Sequence, residues 1–278
     1  MIKITILTDN TPHPTLSKLT AEHGLSMLIE QNGQRMLCDT GLSNAFWKNA
    51  EALGISLKDI NWTFISHGHK DHSGGLLTFL EKNDNAPVYL SSEVFNHRFF
   101  TSRHTYKHDI STPQANIERF PDRFHFIKES QWITDDIAAV RCNVNRWAHP
   151  LGNIFLTAQA PGSIEKADDF SHELSLAIKT EKGLVIISSC SHNGALNIAK
   201  SCCEFTGVDK VYAFVGGLHF VDCNQTAMEV ADFQQEWNAQ YPDTLLYTGH
   251  CTSDKAKREL EQVIPHLHIF YTGEDIIL

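Results

Sequence analysis

The chain has no apolar run that approaches the length of a membrane span, so a spanning helix is not expected. Met1-Ile2-Lys3-Ile4-Thr5-Ile6-Leu7 alternates like a strand and lacks the form of a signal peptide. Basic residues are in the minority. The net charge of −10 argues against a general grip on nucleic acid, although a local basic patch around a phosphate-bearing substrate stays open. Cysteine is sparse and odd in number, at seven, which argues against a disulfide framework and favours a reducing cytoplasm. No linker and no tandem full-length repeat breaks the 278 residues, so one domain over 1–278 is expected. A small-molecule substrate is the expected partner, with no membrane partner, and a homo-oligomer is left open.

What the chain has is histidine, 16 of them. Three imidazoles and a carboxylate fall within the six positions His67-Gly68-His69-Lys70-Asp71-His72. The apolar run Trp62-Thr63-Phe64-Ile65 leads in, and Ser73-Gly74-Gly75 turns out toward a helix. Neutral imidazole and carboxylate suit Zn, Mn or Fe. His67 and His69, two apart at a strand end, can point the same way. Asp71 and His72 follow after a turn and can face a second ion.

The same local pattern, an apolar strand running into small residues and then a His, recurs three times. It ends in Ser191-His192, in Gly216-Gly217-Leu218-His219 and in Thr248-Gly249-His250. Strands of one sheet layer that end together would gather these His residues at one rim. Asn32-Gly33 marks a hairpin between Met27–Glu30 and Arg35–Cys38. Helices are expected over 43–53, after Gly75, and over 195–205, 226–241 and 253–264. This alternation suits a layered α/β architecture.

From 93 to 170 the rhythm breaks. The region reads as an insertion that overhangs the site and selects substrate, or as a plain extra lobe. Arg98, Arg103, His104 and Lys107 either hold a phosphate or form a solvated face. Asp39, at the end of a strand, is either a turn residue or a carboxylate that orients a ligand His.

The HxHxDH stretch resembles the signature of the metallo-β-lactamase superfamily. Five further motifs narrow the resemblance: Glu22-His23-Gly24-Leu25-Ser26, Asp39-Thr40-Gly41, Cys190-Ser191-His192, Gly216-Gly217-Leu218-His219 and Thr248-Gly249-His250-Cys251-Thr252. In that order they are similar to the 7,8-dihydropterin-6-methyl-4-(β-D-ribofuranosyl)-aminobenzene-5′-phosphate synthase-like branch. The resemblance covers 2–90 and 172–278. It departs at Ser189, where the branch has Gly, and it implies an αββα four-layer sandwich with one or two metals.

A binuclear site needs about three protein ligands per ion. His67, His69 and His192 are assigned to one ion, and Asp71, His72 and His250 to the other. Zn is expected, with Mn or Fe as alternatives. In many superfamily members the third His of the first site lies a hairpin earlier, where this chain has His172 beside Glu173. Cys190 stands where a bridging Asp is usual, either as a ligand or as a buried unreactive thiol. Asp71 and His219 are the catalytic candidates, with His219 read as a substrate contact or proton donor. Glu22, Arg98, Arg103 and Lys107 are candidate substrate contacts.

The expected function is a metal-dependent hydrolase that uses a metal-bridged hydroxide. Its expected substrate is a phosphoester, either a phosphodiester or a pterin- or nucleotide-like phosphate. The alternatives are a di-iron redox enzyme and a non-catalytic ligand-binding protein on the same scaffold.

Overall fold

The Asn32-Gly33 turn closes a hairpin in which Gln31 faces Gln34 and Met27 faces Cys38. Both turn residues have positive φ, 50° and 77°, as a tight hairpin turn requires. That hairpin lies within the first of two units into which the computed structural model, describing residues 1–103 and 106–278, divides. The first unit holds Met1–Lys128, Leu156–His172 and Phe270–Leu278; the second holds Glu129–Phe155 and Glu173–Ile269.

The main sheet of the first unit has seven strands in the order Asp275–Ile277, Ile2–Thr8, Ser26–Gln31, Gln34–Cys38, Trp62–Ile65, Val88–Ser91 and Phe124–Ile127. The last three parallel pairings start at Gln34–Cys38, and helices Ala45–Ala52 and Leu76–Lys82 make crossovers between successive strands. Phe46 and Trp47 of the first helix and Leu76 and Phe79 of the second bury themselves with Leu28, Leu37, Ile65 and Leu90 of the sheet. A smaller four-stranded sheet completes this unit, in the order Lys166–Ala167, Leu156–Gln159, Arg98–Thr101 and His108–Asp109.

The second unit has its own seven-stranded sheet. Its order is Leu267–Ile269, Leu245–Thr248, Val211–Val215, Gly183–Ile187, Leu174–Thr180, Ile137–Arg141 and Gln131–Trp132. Helices Ala195–Thr206, Thr226–Gln240 and Asp254–Val263 follow the strands as read from their apolar spacing. Ser253 caps the last of them, its side chain accepting from the Ala256 N–H. Trp237 is 1% exposed, between Phe233 and Tyr241 at 5.2 Å each. Truncating such a ring costs about 3–5 kcal/mol.

Two sequence expectations need correction. The 93–170 stretch is not one inserted body. Phe124–Ile127 edges the first main sheet, Gln131–Trp132 and Ile137–Arg141 belong to the second, and the remaining strands build the small sheet. Phe124–Ile127, Ile137–Arg141 and Arg98–Thr101 each join their sheet through a partner more than 30 residues away, so nothing local announces which sheet they enter. Nor do the four His-bearing strand ends share one sheet layer. Trp62–Ile65 lies in the first unit's sheet, and the other three are neighbours in the second unit's. Among the described residues, no helix is long and apolar enough to cross a membrane.

Candidate metal centre

In the first unit the site is built around Asp39. Its backbone is left-handed, with φ 59°, and its carboxylate is fully buried. Oδ1 accepts from the Ser66 N–H at 2.8 Å, and Oδ2 accepts from Ser66 Oγ at 2.7 Å and from His72 Nδ1 at 2.8 Å. Ser66 Oγ also lies 2.8 Å from His67 Nδ1. The serine has one hydroxyl proton, and the carboxylate takes it, so His67 Nδ1–H donates to the serine oxygen. Both His67 and His72 are thereby held with Nδ1 protonated, and in the neutral ring Nε2 keeps the lone pair that a metal needs.

His72 Nε2 faces Asp71 Oδ2 at 3.5 Å, and His23 Nε2 stands 3.5 Å from that same oxygen. Burial disfavours a charged His72, but Asp71 and then Asp39 overcome it and raise the ring to about 10. His67, whose ring centroid is 4.2 Å away, is driven the other way. Burial, and then the neighbouring His72, His69 and His172, hold it well below the usual imidazole range. The donor set therefore fits a divalent ion, which would replace the proton on His72 and meet a neutral His67.

His69, Asp168 and His172 form a second cluster in this unit, with one ligand atom from each within 4.8 Å of the others. Gly68 N–H donates to His172 Nδ1 at 3.0 Å, so the proton of that ring sits on Nε2, 3.1 Å from Asp168 Oδ2. His69 Nε2 is 3.7 Å from the same oxygen. Burial opposes the Asp168 charge, but His172 and His69 hold the carboxyl well below its usual range. His172 thus has both nitrogens engaged within the unit. Phe99 seats the cluster, its ring 4.2 Å from His172 and 5.6 Å from His69. Gly68 is required here, because a Cβ would lie 2.3 Å from the Phe99 ring. Beside the cluster opens a cavity of about 260 Å³, with His97, Ser163, Lys166, Asp168, Ser171 and His172 among its walls.

In the second unit, parallel strands Gly183–Ile187, Val211–Val215 and Leu245–Thr248 run level, with Ile187 beside Val215 and Val215 beside Tyr247. The residues that follow them therefore emerge at one edge. The approach is tight: a Cβ on Gly216 would lie 1.8 Å from Ser188 O, and one on Gly217 would lie 2.3 Å from Cys251 Sγ. Glu173 clamps the first loop, accepting from His192 N–H at 2.8 Å and Asn193 N–H at 2.9 Å. Asn153 Oδ1 lies 3.2 Å from His192 Nδ1, and Asn153 Nδ2 donates to His192 O at 2.8 Å. His192 takes the same tautomer as His67 and His72. The His219 ring packs 4.3 Å from that of His192. Cys190, His250 and Cys251 bring one ligand atom each within 4.8 Å, a soft set suited to zinc. Ser191, His219 and His250 have positive φ, a conformation that costs about 1–2 kcal/mol for a residue with a side chain.

Several predicted contacts have local partners. Glu22 accepts from Leu42 N–H, Ser43 N–H and Ser43 Oγ. Arg98 pairs with Asp109, and Lys107 with Glu165, while both also lie over the Phe100 ring. Arg103 is exposed, and His104 falls outside the described residues. Sequence reading missed Asp168, Asn153 and Cys251. Asp168 sat unremarked in a polar loop. Cys251, beside His250, was the one with a local signal.

Residues 19–141 match the family model of the metallo-β-lactamase superfamily. A crystal structure of Tm1679, described as a metal-dependent hydrolase of the β-lactamase superfamily, is similar over the whole of this chain and 99% of that one, with a TM-score of 0.83 and 25% identity. The chain has the metallo-β-lactamase fold. A 7,8-dihydropterin-6-methyl-4-(β-D-ribofuranosyl)-aminobenzene-5′-phosphate synthase from Methanocaldococcus jannaschii is 28% identical over 270 residues, covering 91% of this chain and 90% of the relative. A diphosphatase of the PhnP family shares the fold at 12% identity, with a TM-score of 0.53 over 100% of this chain and 98% of that one. The chain stands among enzymes of the metallo-β-lactamase fold.

Proposed function

We propose that the protein is a metal-dependent hydrolase of small phosphoesters, of the phosphodiester or pterin- or nucleotide-like phosphate class. The observation that carries the reading is the shared tautomer of His67, His72 and His192. Each has Nδ1 tied to an oxygen acceptor, which presents Nε2 as a ligand atom. The proposal assigns two divalent ions, Zn first and Mn or Fe as alternatives. His67, His69 and His192 would hold one, and Asp71, His72 and His250 the other. The cluster of Cys190 and Cys251 with His250 favours zinc. Bound there, the ions would acidify a water and offset charge developing on the substrate.

The chain's own residues supply the rest. Asp71, 3.5 Å from both His72 and His23, accepts and relays a proton at Oδ2. His219, buried beside His192, donates a proton to the leaving oxygen. The cavity beside His172 is sized for a small molecule, and its wall sets Lys166 and His97, which can meet an anionic group, beside Asp168 and Asp169. The proposed location is the cytoplasm.

The test is turnover of a phosphodiester and phosphomonoester panel by protein loaded with Zn or Mn, with His69→Ala as control. Activity confined to phosphoesters and lost in the variant supports the reading. A blank phosphoester panel beside turnover of carboxylic esters or lactones overturns it.

A further inference from the structure

A second cavity, of about 190 Å³, lies within the second unit, between the loop around Trp147–Leu151 and helix Thr226–Gln240. Leu196, Phe220 and Phe233, each at least nine-tenths buried, line it together with Trp147. Its polar wall is of one sign. Glu229, Asp232 and Glu236 face it, and no Lys or Arg is among the residues that line it. His149 is the one basic ring in the wall, and burial lowers its tendency to charge.

The carboxylates are not equivalent. Glu236 accepts from the Trp147 indole N–H at 2.9 Å, and Glu229 Oε1 accepts from Leu151 N–H at 2.7 Å. Glu229 Oε2 is buried and has no hydrogen-bond donor among the described residues. A buried acceptor in that condition costs stability until a donor reaches it. Burial correspondingly pushes the Glu229 carboxyl up from its usual range.

We propose that this cavity is a binding site for a small organic ammonium ion with a short aliphatic or single-ring body. The ammonium N–H would donate to Glu229 Oε2, with Asp232 at the rim adding attraction. The apolar body would cover Leu196 and Phe233, and the Phe220 face suits its CH groups, while the Trp147 ring already carries the Arg146 guanidinium, 4.9 Å from its centroid. An anion of the same shape meets three carboxylates, and a neutral isostere lacks the charge. The site also bears on the metal centre. The loop that walls it continues to Asn153, which is bonded to His192.

The test is calorimetric titration of the protein with benzylammonium, benzyl alcohol and benzoate. Benzylammonium is expected to bind one per chain, at least tenfold tighter than the alcohol, with no detectable binding of benzoate. In Glu229→Gln the amide oxygen still accepts from Leu151 N–H, but the amide NH2 replaces the acceptor, so benzylammonium affinity should fall at least tenfold. Asp232→Lys, at an exposed position, sets a cation at the rim and should weaken binding similarly, so it carries the test if the first variant fails to fold. Equal binding of the three probes, no binding of benzylammonium, or unchanged affinity in the folded variants overturns the proposal.

Discussion

Asp39 Oδ2 lies 2.8 Å from His72 Nδ1, and both side chains are fully buried. The carboxylate fixes the tautomer of the imidazole and presents its other nitrogen toward Asp71. Asp39→Asn keeps the volume but weakens that hold. Its expected effect is a 10- to 100-fold loss of zinc affinity, the range usual when the group orienting a ligand His is removed. Competition against a fluorescent chelator measures it, and wild-type affinity in the variant would show that Asp39 serves the fold alone.

The His72 ring gives a pH prediction. Burial works against its charge, yet Asp71 and Asp39 raise its folded value to about 10, above the ordinary 6.5. A raised group contributes stability that is fully present below about 6.5 and lost as pH climbs through about 10. His67, held low, has the opposite sign and loses its contribution as pH falls below 6.5. Metal-free wild type should therefore weaken more between pH 7 and 10 than Asp71→Asn, in which the main raising charge is gone. Urea melts across that range decide it, and parallel curves for the two proteins would contradict the assignment.

Gly68→Ala places a methyl 2.3 Å from the Phe99 ring, which itself seats His172. Overpacking of this kind costs about 1–3 kcal/mol. Phe99→Ala should cost more alone, yet the double variant should be more stable than the two losses added together, because the clash disappears. Thermal unfolding of the cycle is the measurement, and simple additivity would mean that the backbone moves aside instead.

Cys190 and Cys251 offer a spectroscopic test. Cadmium added to metal-free protein should produce a thiolate charge-transfer band in the ultraviolet. Cys190→Ser should diminish it if the Cys190 thiolate ligates. A band of unchanged intensity in that variant assigns Cys190 to packing, in line with its burial.

Much of the scaffold could be read from local signals. The Asn32-Gly33 hairpin and the strands that end in His carry their instructions in adjacent residues. His67, His69, Asp71 and His72 were legible because one strand end delivers them together. Asp168 was not, because its meeting with His69 depends on a small sheet whose strands come from 98–101, 108–109 and 156–167. Asn153 was hidden for a similar reason. It lies in a short 3-10 helix, Leu151–Phe155, 39 residues from His192, and no pattern in its own segment announces that contact. The stretch 93–170 misled because its strands are short and are shared among three sheets.

The central claim is that this donor set holds divalent metal. Elemental analysis of protein purified without chelator, beside His69→Ala, tests it most directly. Close to two Zn, Mn or Fe ions per chain are expected, with their loss in the variant. Metal near zero, with no uptake when ions are added back, would contradict it.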